Sequence, residues 1–392
     1  MLRRRSGTHN LPLVKRVLLV NPYSAGSHAL WEHGLVEHLP HAAADCGEEL
    51  EIGAIALPGR HWKWRMHASA WTLVQRLEER GDLKHPVDAF LVTDMLDVGQ
   101  FRAALPAEHR GVPIVLYFHE NQLTFPEHPE RPNREWDRHY AWMNLTSALL
   151  ADAVWFNSAY HKRVFLDAVP GFLKGLPSPR PIEAGRQIEA KSRVVPIGIG
   201  DDIVQRDRSM PGVFGDGPPI IVWNHRWEYD KGPAAFLDAL KVARSRGLPF
   251  RLAVLGQSFD QVPEAFDEIR TAFDEDIVHW GHAPTREEYV SMLASCDIAL
   301  VTAHHDFFGI SVLESAGVGL TVVAPNELAY PEHFGMDVLV ERSGLAEALC
   351  TALQSPMRFH GQEAVQRYRW ENVAKKAWGA LNRVWGIAGR EA

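Results

Sequence analysis

This chain of 392 residues lacks abundant cysteine, long apolar stretches and a leader-like N-terminus. Its cysteines, Cys46, Cys296 and Cys350, are an odd and widely scattered set, which argues against a disulfide framework or a zinc site. The longest apolar runs, such as residues 298–303, are far below the ~20 residues of a membrane helix. The N-terminal arginines precede no apolar segment with a small-residue cleavage site, so we expect a cytoplasmic protein with no membrane partner.

An excess of basic charge is also missing. There are 41 Lys and Arg against 49 Asp and Glu, a formal charge of −8, so the bulk charge does not indicate nucleic-acid binding. The charge is unevenly placed, however: the balance is +4 over residues 158–193 and −7 over residues 260–292. A polyanion would therefore dock on the first half of the chain, although a solvated charged face explains either stretch taken alone.

What the sequence does contain is short β-rich runs that alternate with helical stretches, at a length suited to two domains. The predicted strands are residues 16–20, 51–57, 89–95, 113–119, 153–157, 192–197, 220–224, 250–255, 277–280, 298–302 and 321–324. Helices are predicted after a Gly/Ser loop at 21–28, at 68–80, 134–150, 233–246 and 263–273, from Thr285 onward, and at 309–317 and 371–385. Prolines crowd residues 169–219 and predict an interdomain connection there.

This order predicts an α/β fold of two doubly wound, Rossmann-like domains that face a central cleft. We expect an N-terminal domain over residues 1–200, a C-terminal domain over 201–370, and a last helix within 371–392 that packs back toward the first domain. Sheets of this kind bind ligands beyond the carboxyl ends of their strands. The segments that follow the strands are therefore the places to look for chemistry.

The strongest local motif covers residues 304–314 and joins a predicted strand to a predicted helix. Free backbone N–H groups at the helix start would form an anion site at its positive end. These belong to Gly309, Ile310 and Ser311. Glu314 lies about 7.5 Å along the axis from Gly309, which suits a diphosphate at the helix tip and a ribose at Glu314. Asp306 would face the other end of the ligand, although a capping aspartate and a surface glutamate explain the pattern equally well.

A second motif covers residues 223–232 and also follows a strand and precedes a helix. Its two cations, Arg226 and Lys231, could clamp a diphosphate at this turn. A solvated Arg–Lys pair would be the simpler interpretation of the motif alone. Its position one βαβ unit upstream of the first motif favours the diphosphate.

Together the two motifs resemble those of the retaining GT-B glycosyltransferases of family 4, which use nucleotide-diphospho-sugars. The resemblance implies that Arg226 and Lys231 bind the donor diphosphate and that Glu314 binds the ribose. Asp306 stands where that family usually has Glu, which implies a contact with the sugar hydroxyls. The remaining donor contacts implied are Phe308, Gly309 and Ile310. Catalysis would be electrostatic, by cations and helix-end amides rather than by a metal ion.

The first half narrows the resemblance. It contains Ala-Gly-Ser-His at 25–28, Trp-Lys-Trp-Arg at 62–65, Tyr-Phe-His-Glu-Asn-Gln at 117–122 and Trp-Phe-Asn-Ser at 155–158. With residues 224–228, 279–281 and 329–332 of the second half, these segments resemble the tRNA-queuosine α-mannosyltransferase group. Some members carry two glycines before Ser-His, where this chain has Ala25 and Gly26, so its first loop could be shorter or stiffer.

The resemblance implies transfer of mannose from GDP-mannose to the cyclopentenediol of queuosine in a tRNA anticodon, with retention at the anomeric carbon. His119 would approach the donor sugar and, with Asp306, Arg226 and Lys231, form the catalytic set. Gly26 and Ser27 would contribute to the donor site. The implied acceptor contacts are His28, Glu120, Asn121 and Gln122. A capping or core histidine is the alternative at His119, and a plain structural turn is the alternative at the Gly-Ser-His loop.

Weaker signals concern the RNA. Trp62, Lys63, Trp64 and Arg65 interleave aromatic rings with cations, as in surfaces that stack on bases and hold phosphates. An edge strand with tryptophans inward and cations outward would give the same string. The basic residues 158–193 favour the RNA interpretation and therefore an acceptor-binding role for this segment.

Three other functions stay open. The chain could be a related glycosyltransferase with another nucleotide-sugar donor and a small-molecule or other modified-nucleoside acceptor, a nucleotide-sugar epimerase, or an RNA-binding module without a working donor site. Its 20 histidines include no His-Glu-x-x-His motif, and no Cys-x-x-Cys pair exists. We therefore expect no metal and no cofactor besides the nucleotide-sugar substrate.

Overall fold

The computed structural model describes residues 14–126, 134–204, 217–258, 262–335, 338–354 and 361–388. Its first half contains β1 (Lys15–Ser24), α1 (Gly26–Ala44), β2 (Leu50–Pro58), α2 (Trp62–Arg80), β3 (Ala89–Thr93), α3 (Val98–Ala104), β4 (Ile114–Phe118), α4 (Arg134–Leu150), β5 (Ala153–Phe156), α5 (Ala159–Lys174), α6 (Ala184–Ala190), β6 (Ser192–Val194) and α7 (Asp201–Val204). The second half contains β7 (Ile220–Asn224), α8 (Pro233–Ser245), β8 (Arg251–Leu255), α9 (Ala265–Phe273), β9 (Ile277–Gly281), α10 (Arg286–Ser295), β10 (Ile298–Leu300), α11 (Ile310–Gly317), β11 (Thr321–Pro325), α12 (Tyr330–His333), β12 (Leu339–Val340), α13 (Leu345–Gln354), α14 (Gly361–Gln366) and α15 (Trp370–Ala388).

The strands form two parallel six-stranded sheets. Their orders are β2-β1-β3-β4-β5-β6 and β12-β11-β10-β7-β8-β9. Every residue of β3 and β4 is buried, as expected for strands covered by helices on both faces. The doubly wound α/β fold and all the strands predicted from the sequence are confirmed, with small shifts at their ends.

Each sheet has a point at which the strand order reverses, and ligands of doubly wound folds bind beyond the strand ends there. In the first sheet this point lies between β1 and β3, and in the second between β7 and β10. The segments that follow these strands are the ones that the sequence singled out. The topology therefore brings the Gly-Ser-His, Arg–Lys and Asp306 segments to the cleft.

Two sequence expectations about local structure were wrong, and one alternative is excluded. Residues 21–28 are not a loop, because β1 continues to Ser24 and α1 begins at Gly26. The Trp-Lys-Trp-Arg segment is the first turn of α2 and not an edge strand. The proline-rich stretch from 169 contains the end of α5 and all of α6, and residues 205–216 lie outside the described residues.

The C-terminal helix lies against the N-terminal half. Trp370 packs so closely over Gly34 of α1 that a Cβ there would collide with its ring. Further along α15, Trp385 donates a hydrogen bond to the carbonyl of Asp88 at 2.9 Å. The ammonium of Lys15 lies 4.2 Å from the centre of the Trp385 ring. The chain thus crosses back over the cleft and connects both sheets.

Candidate active site

A pocket of about 100 Å³ lies between the two halves of the molecule. The N-terminal half contributes Ser27, His119, Glu120, Phe125, Asn157 and Ile197, and the C-terminal half contributes Arg226, Lys231 and residues 305–310. Contacts across the cleft frame it: the Ser158 hydroxyl donates to the Phe307 carbonyl at 2.6 Å, and the backbone N–H of Ala159 donates to the Glu332 carboxylate at 2.9 Å. The pocket is therefore assembled from both switch points.

Arg226 and Lys231 of the motif at residues 223–232, called the donor loop from here on, both reach this pocket. Lys231 is buried, with its ammonium 3.1 Å from the Asp230 carboxylate and 2.7 Å from the His305 carbonyl. Burial lowers the pKa of Lys231, but Asp306 and Asp230 raise it by more, so the ammonium stays charged. Arg226 is half-exposed and lies 3.0 Å from the Glu228 carboxylate. Each cation is therefore paired with a carboxylate from its own loop.

The segment before α11 lies on the same side of the pocket as Lys231. Asp306 accepts a hydrogen bond from the N–H of Gly309 at 2.9 Å, and Gly309 adopts a left-handed φ of 79° that favours glycine. Burial raises the pKa of Asp306, but Lys231, His225 and His305 lower it by more. The expectation that the Gly309 N–H is free was wrong. Within the described residues, no hydrogen bond from the N–H groups of Ile310 or Ser311 occurs.

Glu314 lies farther along α11, outside the pocket lining. It is buried, and Arg286 of α10 donates to one carboxylate oxygen at 2.5 Å while the Tyr289 hydroxyl donates to the other at 2.8 Å. Burial and the charge of Glu314 raise the pKa of Tyr289 well above its usual range, so its hydroxyl keeps the proton it donates. Arg286 also contacts Asp202 of the interdomain segment at 2.8 Å. The Glu314 carboxylate is therefore held in one orientation.

Two stacked histidines form the floor of the N-terminal side. The rings of His28 and His119 are 3.8 Å apart, and both residues are buried. Burial and the charge of Arg226 lower the pKa of His28 to about 3, and burial with His28 and His161 lowers the pKa of His119 well below its ordinary value. Both rings are therefore neutral. Neither ring nitrogen of His119 has a hydrogen-bond partner in the described part of the chain, so a sugar hydroxyl could provide one.

A layer of residues that the sequence did not single out holds His119 in place. The buried carboxylate of Asp94, at the end of β3, accepts from the backbone N–H of His119 at 2.9 Å. The Asn157 amide nitrogen donates to the His119 carbonyl at 2.9 Å, and its Oδ1 accepts a hydrogen bond from Nδ1 of His161 at 2.8 Å. His161 in turn stacks on Phe307 from the other half at 3.9 Å. Asp94 follows β3 and Asn157 follows β5, the two strands on either side of the β4 strand that precedes His119, and this position was the signal that could have revealed them.

The three residues after His119 have different environments. Glu120 lines the pocket, and burial raises its pKa although Arg226 opposes this. The Asn121 side chain accepts from the backbone N–H groups of Leu123 and Thr124, each at 3.0 Å, and so forms the turn. Gln122 donates to the Glu120 carboxylate at 3.2 Å. Of the three, Glu120 alone lines the cavity.

The remaining residues predicted from the sequence lie at the edge of the pocket or outside it. Gly26 and Ser27 begin α1, and Ser27 lines the pocket. Phe308 is buried against the pocket. Trp62 packs on Tyr140 with ring centres 5.2 Å apart, whereas Trp64 is 64% exposed. Arg65 donates to the Pro58 carbonyl at 3.3 Å. The Trp62–Arg65 segment is therefore beside the cleft and not in the pocket.

No group of three or more His, Cys, Asp or Glu side chains with a metal-binding arrangement occurs among the described residues. Across the same residues, no helix is both long and apolar enough to cross a bilayer. The expectations that the protein needs no metal and no further cofactor stay predictions.

Comparison with known proteins gives matches along most of the chain. Residues 16–199 match the family model described as tRNA-queuosine alpha-mannosyltransferase N-terminal, and residues 206–364 match glycosyl transferases group 1. The chain is 30% identical over 352 residues to the tRNA-queuosine alpha-mannosyltransferase of Drosophila melanogaster, covering 88% of this chain and 89% of the relative. It is 26% identical over 200 residues to the GDP-mannose:cellobiosyl-diphosphopolyprenol alpha-mannosyltransferase of Xanthomonas campestris, or 48% of this chain and 52% of that protein.

Solved structures with the same fold include glycosyltransferases. Sucrose-phosphate synthase from Thermosynechococcus elongatus superposes with a TM-score of 0.64 at 14% identity, over 95% of this chain and 100% of the other. The UDP-forming alpha,alpha-trehalose-phosphate synthase of Burkholderia xenovorans gives 0.63 at 14% identity, over 94% and 100%. At these identities the likeness concerns the fold, which is GT-B.

Proposed function

This chain belongs to the tRNA-queuosine alpha-mannosyltransferase family, and from that membership we propose that it is a retaining glycosyltransferase that moves mannose from GDP-mannose to the cyclopentenediol of queuosine in a tRNA anticodon. The Drosophila relative is named for mannosyl transfer to tRNA-queuosine. The Xanthomonas relative is named for GDP-mannose as its donor, which supports the same nucleotide here. Cytoplasmic tRNA is the expected acceptor pool.

The observation that carries the proposal is the convergence of both switch points on one pocket. Lys231 and Arg226 stand on one side with the open N–H groups of α11, and His119 with Glu120 stands on the other. A nucleotide diphosphate fits the first side because cations and helix-end amides stabilise its charge. A sugar attached to that diphosphate would extend toward His119.

The transfer step needs stabilisation of a leaving group. The acceptor oxygen bonds to the anomeric carbon on the face from which the diphosphate leaves, the bond from that carbon to the diphosphate oxygen breaks, and the acceptor hydroxyl proton passes to the departing diphosphate. Negative charge grows on the departing GDP, where Lys231 and Arg226 stabilise it electrostatically. We expect no metal requirement.

The neutral state of His119 suits a contact with sugar hydroxyls, because it can donate from one nitrogen and accept at the other. Asp306, held ionised beside Lys231, accepts hydrogen bonds from the same sugar. Glu120 accepts from the incoming queuosine hydroxyl. The pocket thus orients both reactants without a covalent nucleophile.

Nucleoside mass spectrometry of queuosine-containing tRNA after incubation with the protein and GDP-mannose tests the proposal, with GDP-glucose and UDP-sugars in parallel. A hexose added to queuosine from GDP-mannose is the expected result. Transfer only from another donor would change the nucleotide or sugar, and transfer only to small acceptors would remove tRNA. An epimerised sugar nucleotide formed without acceptor would favour the epimerase.

A further inference from the structure

Among the side chains that the structure describes, strongly exposed tryptophan is confined to one region. Among the described residues, the tryptophans with large exposed surfaces are Trp64, Trp71 and Trp142, at 64%, 63% and 36%. The first two lie on α2 and the third on α4. Tryptophan is ordinarily among the most buried residue types, and exposed aromatic surface marks interaction sites. Three such residues on two neighbouring helices therefore call for a partner.

These residues form one continuous aromatic face. Trp64 and Trp71 are seven residues apart, so they lie on the same side of α2 about 10.5 Å apart along its axis. His67 lies between them and stacks on His139 of α4 with ring centres 5.2 Å apart. His139 and Trp142 are three apart on α4, which again gives one side of a helix. We call Trp64, His67, Trp71, His139 and Trp142 the aromatic face.

The sequence stretches that carry the aromatic face contain basic residues and no acids. Residues 59–77 contain Arg60, Lys63, Arg65 and Arg76 and no Asp or Glu. Residues 138–151, which cover the described side chains of α4, contain Arg138 and again no Asp or Glu. The acids of the two helices lie near their ends, at Glu78 and Glu79 of α2 and at Glu135 and Asp137 of α4. A polyanion with stackable rings fits such a surface, since phosphates meet the cations and bases meet the tryptophans.

The aromatic face is joined to the pocket by packed side chains. Trp62, at the start of α2, packs on Tyr140, and both belong to a cluster with Met66, Met95 and Tyr23. Tyr23 meets the edge of His28 with ring centres 5.5 Å apart, and His28 stacks on His119. RNA on this face would lie beside the cleft entrance formed by the N-terminal half.

We propose that the aromatic face is the docking surface for the unpaired bases of the tRNA anticodon loop, with Trp64 and Trp71 each stacking on a base near the one that enters the cleft. The inference rests on the proposed function, because it names the surface by which that acceptor is held. Trp71, His67, His139 and Trp142 join the acceptor contacts expected from the sequence. The two tryptophans are too far apart to stack on the same ring.

Fluorescence anisotropy with queuosine tRNA tests the aromatic face, with the full-length protein and its Trp64→Ala, Trp71→Ala and double variants. Loss of one stacked base corresponds to about tenfold weaker binding, so each single variant should weaken tRNA binding by about that factor. Trp64→Phe and Trp71→Phe keep a ring and should restore most of the affinity. The slope of log affinity against log salt should stay unchanged in all of them, because no phosphate contact is removed.

Controls separate this inference from the proposed function. Val278→Ala removes an apolar side chain that is 48% exposed on the other half and should bind tRNA like the wild type. GDP affinity, measured by calorimetry, should be unchanged in the tryptophan variants and also verifies that they are folded. If the wild type mannosylates tRNA and the double variant binds tRNA normally, the docking role of the aromatic face is wrong, whereas the proposed function stands. A dimer that the double variant converts to monomers, with normal tRNA binding, would assign the face to self-association.

Discussion

On the C-terminal side of the cleft, each cation of the donor loop has a carboxylate beside it, whereas the cations of residues 59–77 come from a stretch without any acid. Arg226 is paired with Glu228 and Lys231 with Asp230. A buried or half-buried cation without a partner would be costly, so the loop supplies its own. An exposed cation needs no such partner and attracts polyanions over longer distances.

The difference suggests two ways of binding phosphate. On the donor side, a diphosphate replaces the carboxylates that are paired with Arg226 and Lys231. This replacement favours a ligand of defined shape. On the RNA side, exposed positive charge attracts any polyanion, and the tryptophans select those with unpaired bases. Four predictions follow this division.

The largest effect is expected at Lys231. The Lys231→Met variant keeps the stem and removes the buried charge that faces the departing GDP, and loss of one such electrostatic contact lowers kcat by about 10²–10³-fold. Steady-state kinetics with saturating tRNA measure it. Lys241→Met, an exposed lysine of α8, is the matched control. A rate near that of the control would contradict the assignment of Lys231 to the leaving group.

Acid should destabilise the N-terminal side. His28, with a pKa of about 3, stays neutral in the folded protein, while in the unfolded chain it is protonated below about 6.5. Unfolding then takes up a proton, so stability falls as pH drops below about 6.5, by up to ~1.4 kcal/mol per pH unit for each such histidine. His119 and His161 act in the same direction.

Denaturant titrations at pH values between about 3 and about 6.5 measure the free energy of unfolding and check this prediction. His161→Gln should reduce the slope of unfolding free energy against pH, whereas Gln at the exposed His41 should leave it unchanged. The raised pKa values of Asp94 and Glu120 oppose the trend. A slope that His161→Gln leaves unchanged would contradict a neutral His161 in the folded protein.

A smaller effect is expected at Tyr289, which orients Glu314. Tyr289→Phe removes one hydrogen bond worth ~1 kcal/mol, so GDP binding should weaken about fivefold. Calorimetry with 2′,3′-dideoxy-GDP provides the control, because a ligand without the ribose diol should bind both proteins alike. An equal loss for both ligands would show that Tyr289 acts on the fold and not through Glu314.

The smallest effect should be a gain. Glu228→Gln frees the half-exposed Arg226 from its acid, and exposed pairs are worth ~0.2–1 kcal/mol, so GDP should bind up to about fivefold more tightly. Glu268→Gln, which breaks an exposed pair with Lys241, is the control. Weaker GDP binding in Glu228→Gln would mean that Glu228 positions Arg226 for the diphosphate instead of competing with it.

The sequence predicted most of this architecture because its strands are short apolar runs separated by turns. It also singled out Arg226, Lys231 and Asp306, since each follows a strand that ends at a switch point. The sequence predicted α2 to begin at residue 68, whereas it begins at Trp62. The preceding residue, His61, has a left-handed φ of 54° and provides no side-chain cap by which the helix start could be recognised in the sequence. The sequence predicted no helix at residues 159–174. Proline ordinarily ends a helix, but Pro170 lies inside α5.

Other features depend on long-range contacts that a sequence does not display. Asp94 accepts a hydrogen bond from the backbone N–H of His119, which follows the neighbouring strand β4. Glu314 is held by hydrogen bonds from Arg286 and Tyr289 of another helix. The exposure of Trp71 likewise follows from the register of α2 on the sheet. Local patterns therefore located the donor loop, whereas the residues that support it emerged only from the packing.

The division between the two sides is tested most directly by measuring the salt dependence of GDP and tRNA binding in the wild type, Lys63→Glu and Lys231→Met. We predict a steep loss of tRNA affinity with salt that Lys63→Glu makes shallower, with GDP binding unchanged in that variant. Lys231→Met should weaken GDP and leave the tRNA slope as it is. If Lys63→Glu weakened GDP as much as tRNA, or if tRNA binding did not respond to salt, the two sides would not be separate binding surfaces.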